Sequence, residues 1–159
     1  MKKDFVSSIF LFSKIENEIK LLLLHHKKLN RWLIPGGHIE EYENPVEAVK
    51  RETFEETGIQ KFELISMIHK DTITYSDASF VFPPEFIFEE KIKEYKDTPE
   101  HIHIDMIYVG KVKDNNLQLN VIESNNIRWF GLSEINKLDL FEMTEKIAQK
   151  YFNFLTNEW

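Results

Sequence analysis

A mixed α/β (α+β) sandwich, with strands gathered around a central helix, is the fold class that this sequence predicts. Three observations point to it. Two β-rich runs joined by a polar stretch open the chain, a helix with signals at both ends occupies residues 44–58, and further β-rich runs lead into a second amphipathic helix near the end.

Residues 5–13 and 20–27 are rich in β-formers and are separated by the polar stretch Lys14–Glu18, the pattern of a hairpin. Leu29-Asn30 can turn the chain into Arg31-Trp32-Leu33-Ile34, which stops at Pro35-Gly36-Gly37, and His38-Ile39-Glu40 reads as one further short strand. Asn44 can cap a helix, Pro45 suits its first position, Glu47 stands where a capping-box acid belongs, and Gly58 supplies a left-handed stop. Val46, Val49 and Thr53 recur at helical spacing between these signals and should face a core. Phe62–His69 reads as a strand, His101–Val112 as a longer one, and Ile127-Arg128-Trp129-Phe130 as another. A final helix is expected over about Thr144–Thr156, with Ile147, Tyr151, Phe154 and Leu155 in one stripe. Residues 71–100 would be an unusually long loop for a compact domain. Phe80-Val81-Phe82 and Phe86-Ile87-Phe88 flank Pro83-Pro84 there, so at least one strand is expected.

The length of 159 residues suits one domain spanning 1–159, and 13 phenylalanines and three tryptophans can fill its core. Acids outnumber bases 27 to 20, giving a net charge of −7, which argues against a long nucleic acid as partner. A small phosphate ligand stays open, because a bound cation can neutralise both sides. With no cysteine there is no disulfide, thiolate zinc site or cysteine nucleophile, which suits a reducing cytoplasm. The apolar run after Met1-Lys2-Lys3 is bracketed by Asp4 and Lys14, too short for a signal peptide, and nothing approaches a membrane span.

The chemistry concentrates between Gly37 and Ile59. On a helix, Glu52, Glu55 and Glu56 at i, i+3 and i+4 project from one face, beside the Val46/Val49/Thr53 stripe. Their mutual repulsion, a few tenths of a kcal/mol per pair or more, would be relieved by a hard divalent cation such as Mg²⁺ or Mn²⁺. Arg51 lies one turn after Glu47 and one turn before Glu55 and can orient an acid. Three glutamates alone also describe a solvated helix face; the flanking residues decide between the two.

With those flanks the segment resembles the Nudix hydrolase (MutT-like) family, whose box runs G-x5-E-x7-R-E-U-x-E-E-x-G-U, with U a bulky apolar residue. Gly37, Glu43, Arg51, Glu52, Glu55, Glu56 and Gly58 occupy every fixed position and Ile59 the last U, while Thr53 departs from the first U. Chance agreement at seven fixed positions is on the order of 10⁻⁷ per window, from ordinary residue usage. Pro35-Gly36, Trp129-Phe130 and the C-terminal helix extend the likeness along the chain.

The resemblance implies an α/β/α sandwich with a mixed sheet, and a metal-dependent pyrophosphohydrolase cleaving a diphosphate linkage. Its substrate would be a nucleoside triphosphate, an ADP-ribose-like compound or another nucleoside diphosphate derivative. It also implies Gly37, Glu52, Glu55 and Glu56 as metal ligands, Glu55 also as a candidate base, and Arg51 and Glu43 as holders of the loop–helix geometry. A nucleotide-sensing module without catalysis would show decayed box acids, and here all are intact. Isoprenoid diphosphate isomerisation, a neighbouring chemistry, normally needs a cysteine, which is absent. A monomer and a homodimer are equally compatible with the sequence.

Outside the box, His101, His103 and Asp105 alternate, so one face of their strand carries all three and can bind metal or phosphate, position substrate or polarise the attacking water, or simply pack. Glu89, Asp97 and Glu100 are weaker candidates for a base. Trp32 can stack on a base or fill the core, and His38 gains interest from following Gly37. His25-His26 reads as an exposed strand pair.

Overall fold

The computed structural model describes residues 1–69, 75–96, 98–120, 122 and 124–159. The chain opens with β1 (Lys3–Ile15) and β2 (Glu18–His26). Glu16 and Asn17 both take positive φ, 50° and 67°, so the loop has the twist that lets two antiparallel strands close over two residues. The short strands β3 (Arg31–Leu33) and β4 (Gly36–His38) precede helix α1 (Pro45–Thr57). After it come β5 (Glu63–Ile65), β6 (Phe86–Ile92), β7 (His101–Val112), β8 (Ser124–Gly131), the short helix α2 (Leu132–Ile135) and the final helix α3 (Glu142–Glu158).

One mixed sheet collects the strands in the order β3-β2-β1-β7-β5, with β4 also on β1, β6 also on β7 and β8 also on β2. β1 runs parallel to β7, with Val6 opposite Asp105, while its pairings with β2 and β4 are antiparallel. Side chains alternate across the sheet. Ile9, Leu11, Leu22 and Tyr108 pack with Val49 of α1, while Phe10, Phe12, Leu21 and Leu23 pack with Tyr151, Phe152 and Leu155 of α3. Covering both faces explains why residues 9–13 are buried without a break, instead of alternating with polar positions. The α/β/α sandwich is therefore the observed architecture. Among the described residues, no helix is long and apolar enough to cross a membrane.

Helix α1 forms as its sequence signals require. Asn44 Oδ1 accepts from the backbone N–H groups of Val46 and Glu47 at 3.0 and 3.1 Å, and the Glu47 carboxylate accepts from the Asn44 N–H at 2.8 Å. At the other end Gly58 takes φ +76° and donates its N–H to the Phe54 carbonyl at 2.9 Å. Val49 and Thr53 are buried as the periodicity expects, and Val46 packs on the same cluster half-buried.

Several boundaries differ from the sequence reading. The strand expected over Phe62–His69 is confined to Glu63–Ile65. Ser66 ends it by accepting the N–H groups of Ile68 and His69 on its hydroxyl, while the Met67 N–H goes to the Glu85 carboxylate, so these donors leave the ladder. The strand expected at His38–Glu40 lies earlier, at Gly36–His38. Of the two apolar runs around Pro83-Pro84 only the second forms a strand, β6. The final helix is longer at both ends than its apolar stripe suggested, and α2 had no counterpart in that reading.

Candidate active site

The site is built where β4 is wedged between β1 and α1. Ser7 pairs with Gly37 and Ser8 with Gly36. A Cβ on Gly36 would lie 2.7 Å from the Ser7 carbonyl oxygen and from Ser8 Cα, backbone that cannot give way. A Cβ on Gly37 would lie 2.4 Å from the Glu52 carboxyl carbon. Two residues without side chains therefore let the backbone of β4 reach β1 on one side and the Glu52 carboxylate on the other. The helix is drawn to the same place from its start, where Ser7 Oγ donates to the Pro45 carbonyl at 2.8 Å.

Arg51 is the hub. Its guanidinium donates from Nε and Nη2 to the two Glu43 carboxylate oxygens at 3.1 and 2.7 Å, a bidentate pair. Nη2 also donates to the His38 carbonyl at 3.0 Å. Nη1 reaches Glu52 at 2.8 Å and Glu55 at 3.2 Å. The hydrogen bond to Glu43 is the main reason that the guanidinium is held above its ordinary range, and the same bond holds the Glu43 carboxyl below the usual carboxylate range. One side chain thus ties the loop after β4 to two acids of α1. Glu43 also accepts from the Glu40 N–H at 2.9 Å, which closes the loop on itself. Glu56 is fixed separately, accepting the Gly36 N–H at 3.0 Å.

Carboxylate and carbonyl oxygens are the donor chemistry that a hard divalent cation takes, and the Glu52 carboxylate seated against Gly37 is a cradle that a Cβ would fill. The residues fit such an ion by type and neighbourhood. Among the described residues, no three His, Asp or Glu side chains already converge on a point that could hold a metal ion. Arg51 draws Glu52 and Glu55 to itself, in keeping with that arrangement.

The sheet face on the far side from α1 carries the histidines. His101 is buried, and its Nε2 lies 3.0 Å from His103 Nε2, while its Nδ1 donates to the Pro99 carbonyl at 2.9 Å. The exposed His38 ring meets the His103 ring edge-on, with centroids 5.1 Å apart. His38 therefore joins the two halves of the site, its carbonyl on Arg51 and its ring on His103. Asp105 shares this face as its spacing expects. It is 5% exposed, accepts from Ser8 Oγ at 3.0 Å on Oδ2, and among the described residues its buried Oδ1 has no hydrogen-bond partner. Burial, reinforced by the nearby Glu90, pushes its carboxyl up to about 7 against the pull of Ser8.

The remaining candidates are more scattered. Trp32 stands edge-on to Phe130 and His25, with centroids 4.7 and 5.1 Å away, half-buried at the margin of the core. Glu89 pairs with Lys3 and Glu100 with Lys91 in exposed ion pairs. Asp97 lies outside the described residues. Ser8 and Glu90 were not foreseen, because only the register of β1 and β6 on β7, which sets Ser8 opposite Ile107 and Glu90 opposite His103, brings them diagonally near Asp105.

A family model described as NUDIX domain matches residues 6–152. The asymmetrical bis(5'-nucleosyl)-tetraphosphatase of Rattus norvegicus is 28% identical over 148 residues, covering 91% of this chain and 87% of that protein. Among solved structures, a hydrolase of the NUDIX family from Clostridium perfringens superposes with a TM-score of 0.76 at 24% identity, covering 98% of this chain and 99% of that one. An Ap4A hydrolase binary complex from C. elegans superposes with a TM-score of 0.66 at 20% identity, covering 97% and 98%. At these identities the structural likenesses speak for the fold.

Proposed function

The chain belongs to the NUDIX family and is a hydrolase of that family, and from that premise we propose that it hydrolyses a dinucleoside polyphosphate with the help of a divalent cation. Residues 1–159 act in this reading as one domain. The proposal narrows the wider class of nucleoside diphosphate derivatives. It is supported by the breadth of the likeness to the rat tetraphosphatase, which spans 91% of this chain.

The observation that carries the catalytic reading is the arrangement at the glycine pair, where Glu52 lies against Gly37 and Glu56 accepts the Gly36 N–H. Glu52, Glu55, Glu56 and the Gly37 carbonyl would hold Mg²⁺ or Mn²⁺. When bound, the cation supplies charge stabilisation on the diphosphate as its linkage breaks. The protein's own part is positional. Gly36 holds Glu56 in place, and Arg51, anchored by Glu43, sets the directions of Glu52 and Glu55. Where Glu52, Glu56 and the Gly37 carbonyl hold the ion without it, Glu55, half-exposed at the edge of the set, would instead take the proton of the attacking water. His38, His101 and His103 would serve the substrate's remaining parts from the sheet face opposite α1, and Trp32, half-buried against Phe130 and His25 on β3, would do so from farther along the sheet.

The test is a panel of diadenosine tetraphosphate, ATP and ADP-ribose with Mg²⁺ or Mn²⁺, products being separated by chromatography. The expected result is preferred cleavage of the tetraphosphate into a nucleoside triphosphate and a monophosphate. Preference for ADP-ribose or ATP would leave a diphosphate hydrolase but displace this substrate, and no cleavage of any would remove the catalytic reading.

A further inference from the structure

The face of the sheet that packs against α3 continues along β7 from Val109 and Ile107 to Asp105, His103 and His101 by strand alternation. Register adds Asp4 of β1 and Glu90 of β6 beside His103, Phe88 of β6 beside Asp105, and His38 of β4 beside Val6. Its hydrogen bonds fix where the protons of the two histidines sit. A carbonyl oxygen can only accept, so the bond to Pro99 places a proton on His101 Nδ1. The 3.0 Å contact between the two Nε2 atoms needs one proton. With one proton on each ring, the His101 proton is the one on Nδ1, and the proton between the two Nε2 atoms is that of His103.

Burial first, then the neighbouring His38 and His101, push the His103 imidazole down to about 4, with Asp4 opposing, so the ring is neutral near pH 7. Its Nδ1 is then a bare lone pair. Among the described residues the one hydrogen bond of the His103 ring is that to His101. Such a lone pair suits a donor and disfavours a phosphate oxygen, which near neutral pH has no proton to share. The other groups on this face give a phosphate little more. Asp4, Glu90 and Asp105 are acids, and Lys2 is already paired with Asp4 at 2.8 Å. Phe88, half-buried beside them, offers an apolar surface.

We propose that His103 is a specificity-determining residue that accepts, through Nδ1, a hydrogen bond from an uncharged donor on the nucleoside end of the substrate. That donor is a ribose hydroxyl or a base amine, and His101 is the positioning residue that sets the His103 tautomer. The inference rests on the hydrolase reading only in taking a nucleotide as the ligand. The phosphate chain then lies toward β4 and α1, and the nucleoside lies over β7 and β6.

Nitrogen-15 spectra of the histidine rings test this without turnover. In the full chain at pH 7 the expected signals are Nδ1–H on His101 and Nε2–H on His103. An Nδ1–H tautomer or an imidazolium at His103 overturns the proposal. Titration with adenosine 5'-monophosphate should shift His103 Nδ1 toward the hydrogen-bonded range. One of three analogues should fail to do so: the 2'-deoxy or 3'-deoxy nucleotide if a hydroxyl donates, the purine riboside monophosphate if the amine does. Absence of any shift at saturation, or the same shift with all four nucleotides, overturns it.

His103→Ala should weaken AMP binding about 3- to 10-fold, the scale of one neutral hydrogen bond. It should weaken the deficient analogue little, and equal losses for both would speak for a merely structural histidine. His101→Gln, whose side-chain carbonyl can still accept from His103, should keep the tautomer, and His101→Leu should lose it. Because no step here requires hydrolysis, an enzyme that cleaves none of the nucleotides fails the functional reading while this one is still decided by the spectra.

Discussion

Arg51 and Asp105 are the two residues at which charge is most constrained, and they are constrained in opposite ways. Arg51 gathers Glu43, Glu52 and Glu55 around one guanidinium, and its bond to Glu43 holds that carboxyl below the usual carboxylate range. Neutralising Glu52 and Glu56, both proposed as ligands, should remove charge stabilisation without removing the fold, since both side chains are only partly buried and an amide keeps their size and an acceptor oxygen. Glu52→Gln and Glu56→Gln are each expected to lower turnover at least ~100-fold with a native far-ultraviolet spectrum. Wild-type kinetics in both would sink the assignment. Asp105 instead sits where burial favours its neutral form. The folded state holds the proton up to about 7 and the unfolded chain releases it near the ordinary value of 3.8. Stability referable to this group is therefore complete below ~4, falls as pH rises toward 7, and is level above that. Asp105→Asn should flatten the decline, gaining on wild type by up to roughly 4 kcal/mol between pH 4 and pH 8. Urea titrations at the two pH values measure it, and parallel pH dependence in the two proteins would contradict it.

At the level of elements, what the sequence made legible was whatever is decided within a few residues. The start and stop of α1 depend on Asn44, Glu47 and Gly58 and on contacts no more than four residues apart, and they formed as read. The length of β5 depends on Glu85, which lies 18 residues along the chain from Met67, whose N–H it accepts; no local pattern announces that. The α1 signals also allow separate tests of each end. Asn44→Ala removes an acceptor shared by two backbone donors and should cost about 1 kcal/mol. Gly58→Ala forces a side chain into φ +76° with its Cβ 2.8 Å from Gln118 Cβ, so it should cost more than the cap. Thermal melts of the two variants order them, and a Gly58→Ala protein as stable as wild type would mean that the helix end relaxes freely.

Across the whole molecule the candidate site joins a part that sequence spacing reveals with a part that only the sheet assembles. Glu43, Glu52, Glu55, Glu56 and Arg51 are neighbours through one loop and one helix. Ser8 and Asp105 meet across 97 residues because β1 and β7 run parallel, and His38 meets His103 because β4 lies on the other side of β1. The first part explains why a divalent ion should act on both stability and turnover. Glu43, Glu52, Glu55 and Glu56 bring four carboxyl groups together around Arg51 and the glycine pair, oxygen chemistry that a bound divalent cation takes. An ion that binds only the folded state stabilises it by about 2.7 kcal/mol when present at 100 times its dissociation constant. Mg²⁺ or Mn²⁺ should therefore raise the melting temperature of the protein without any substrate, by several degrees for a chain of this size. The shift should shrink in Glu56→Gln. Chelation should abolish both the shift and the hydrolysis, and added Mn²⁺ or Mg²⁺ should restore them together. Full hydrolysis of a diphosphate substrate in excess chelator would show that the acids around Gly37 serve the fold alone.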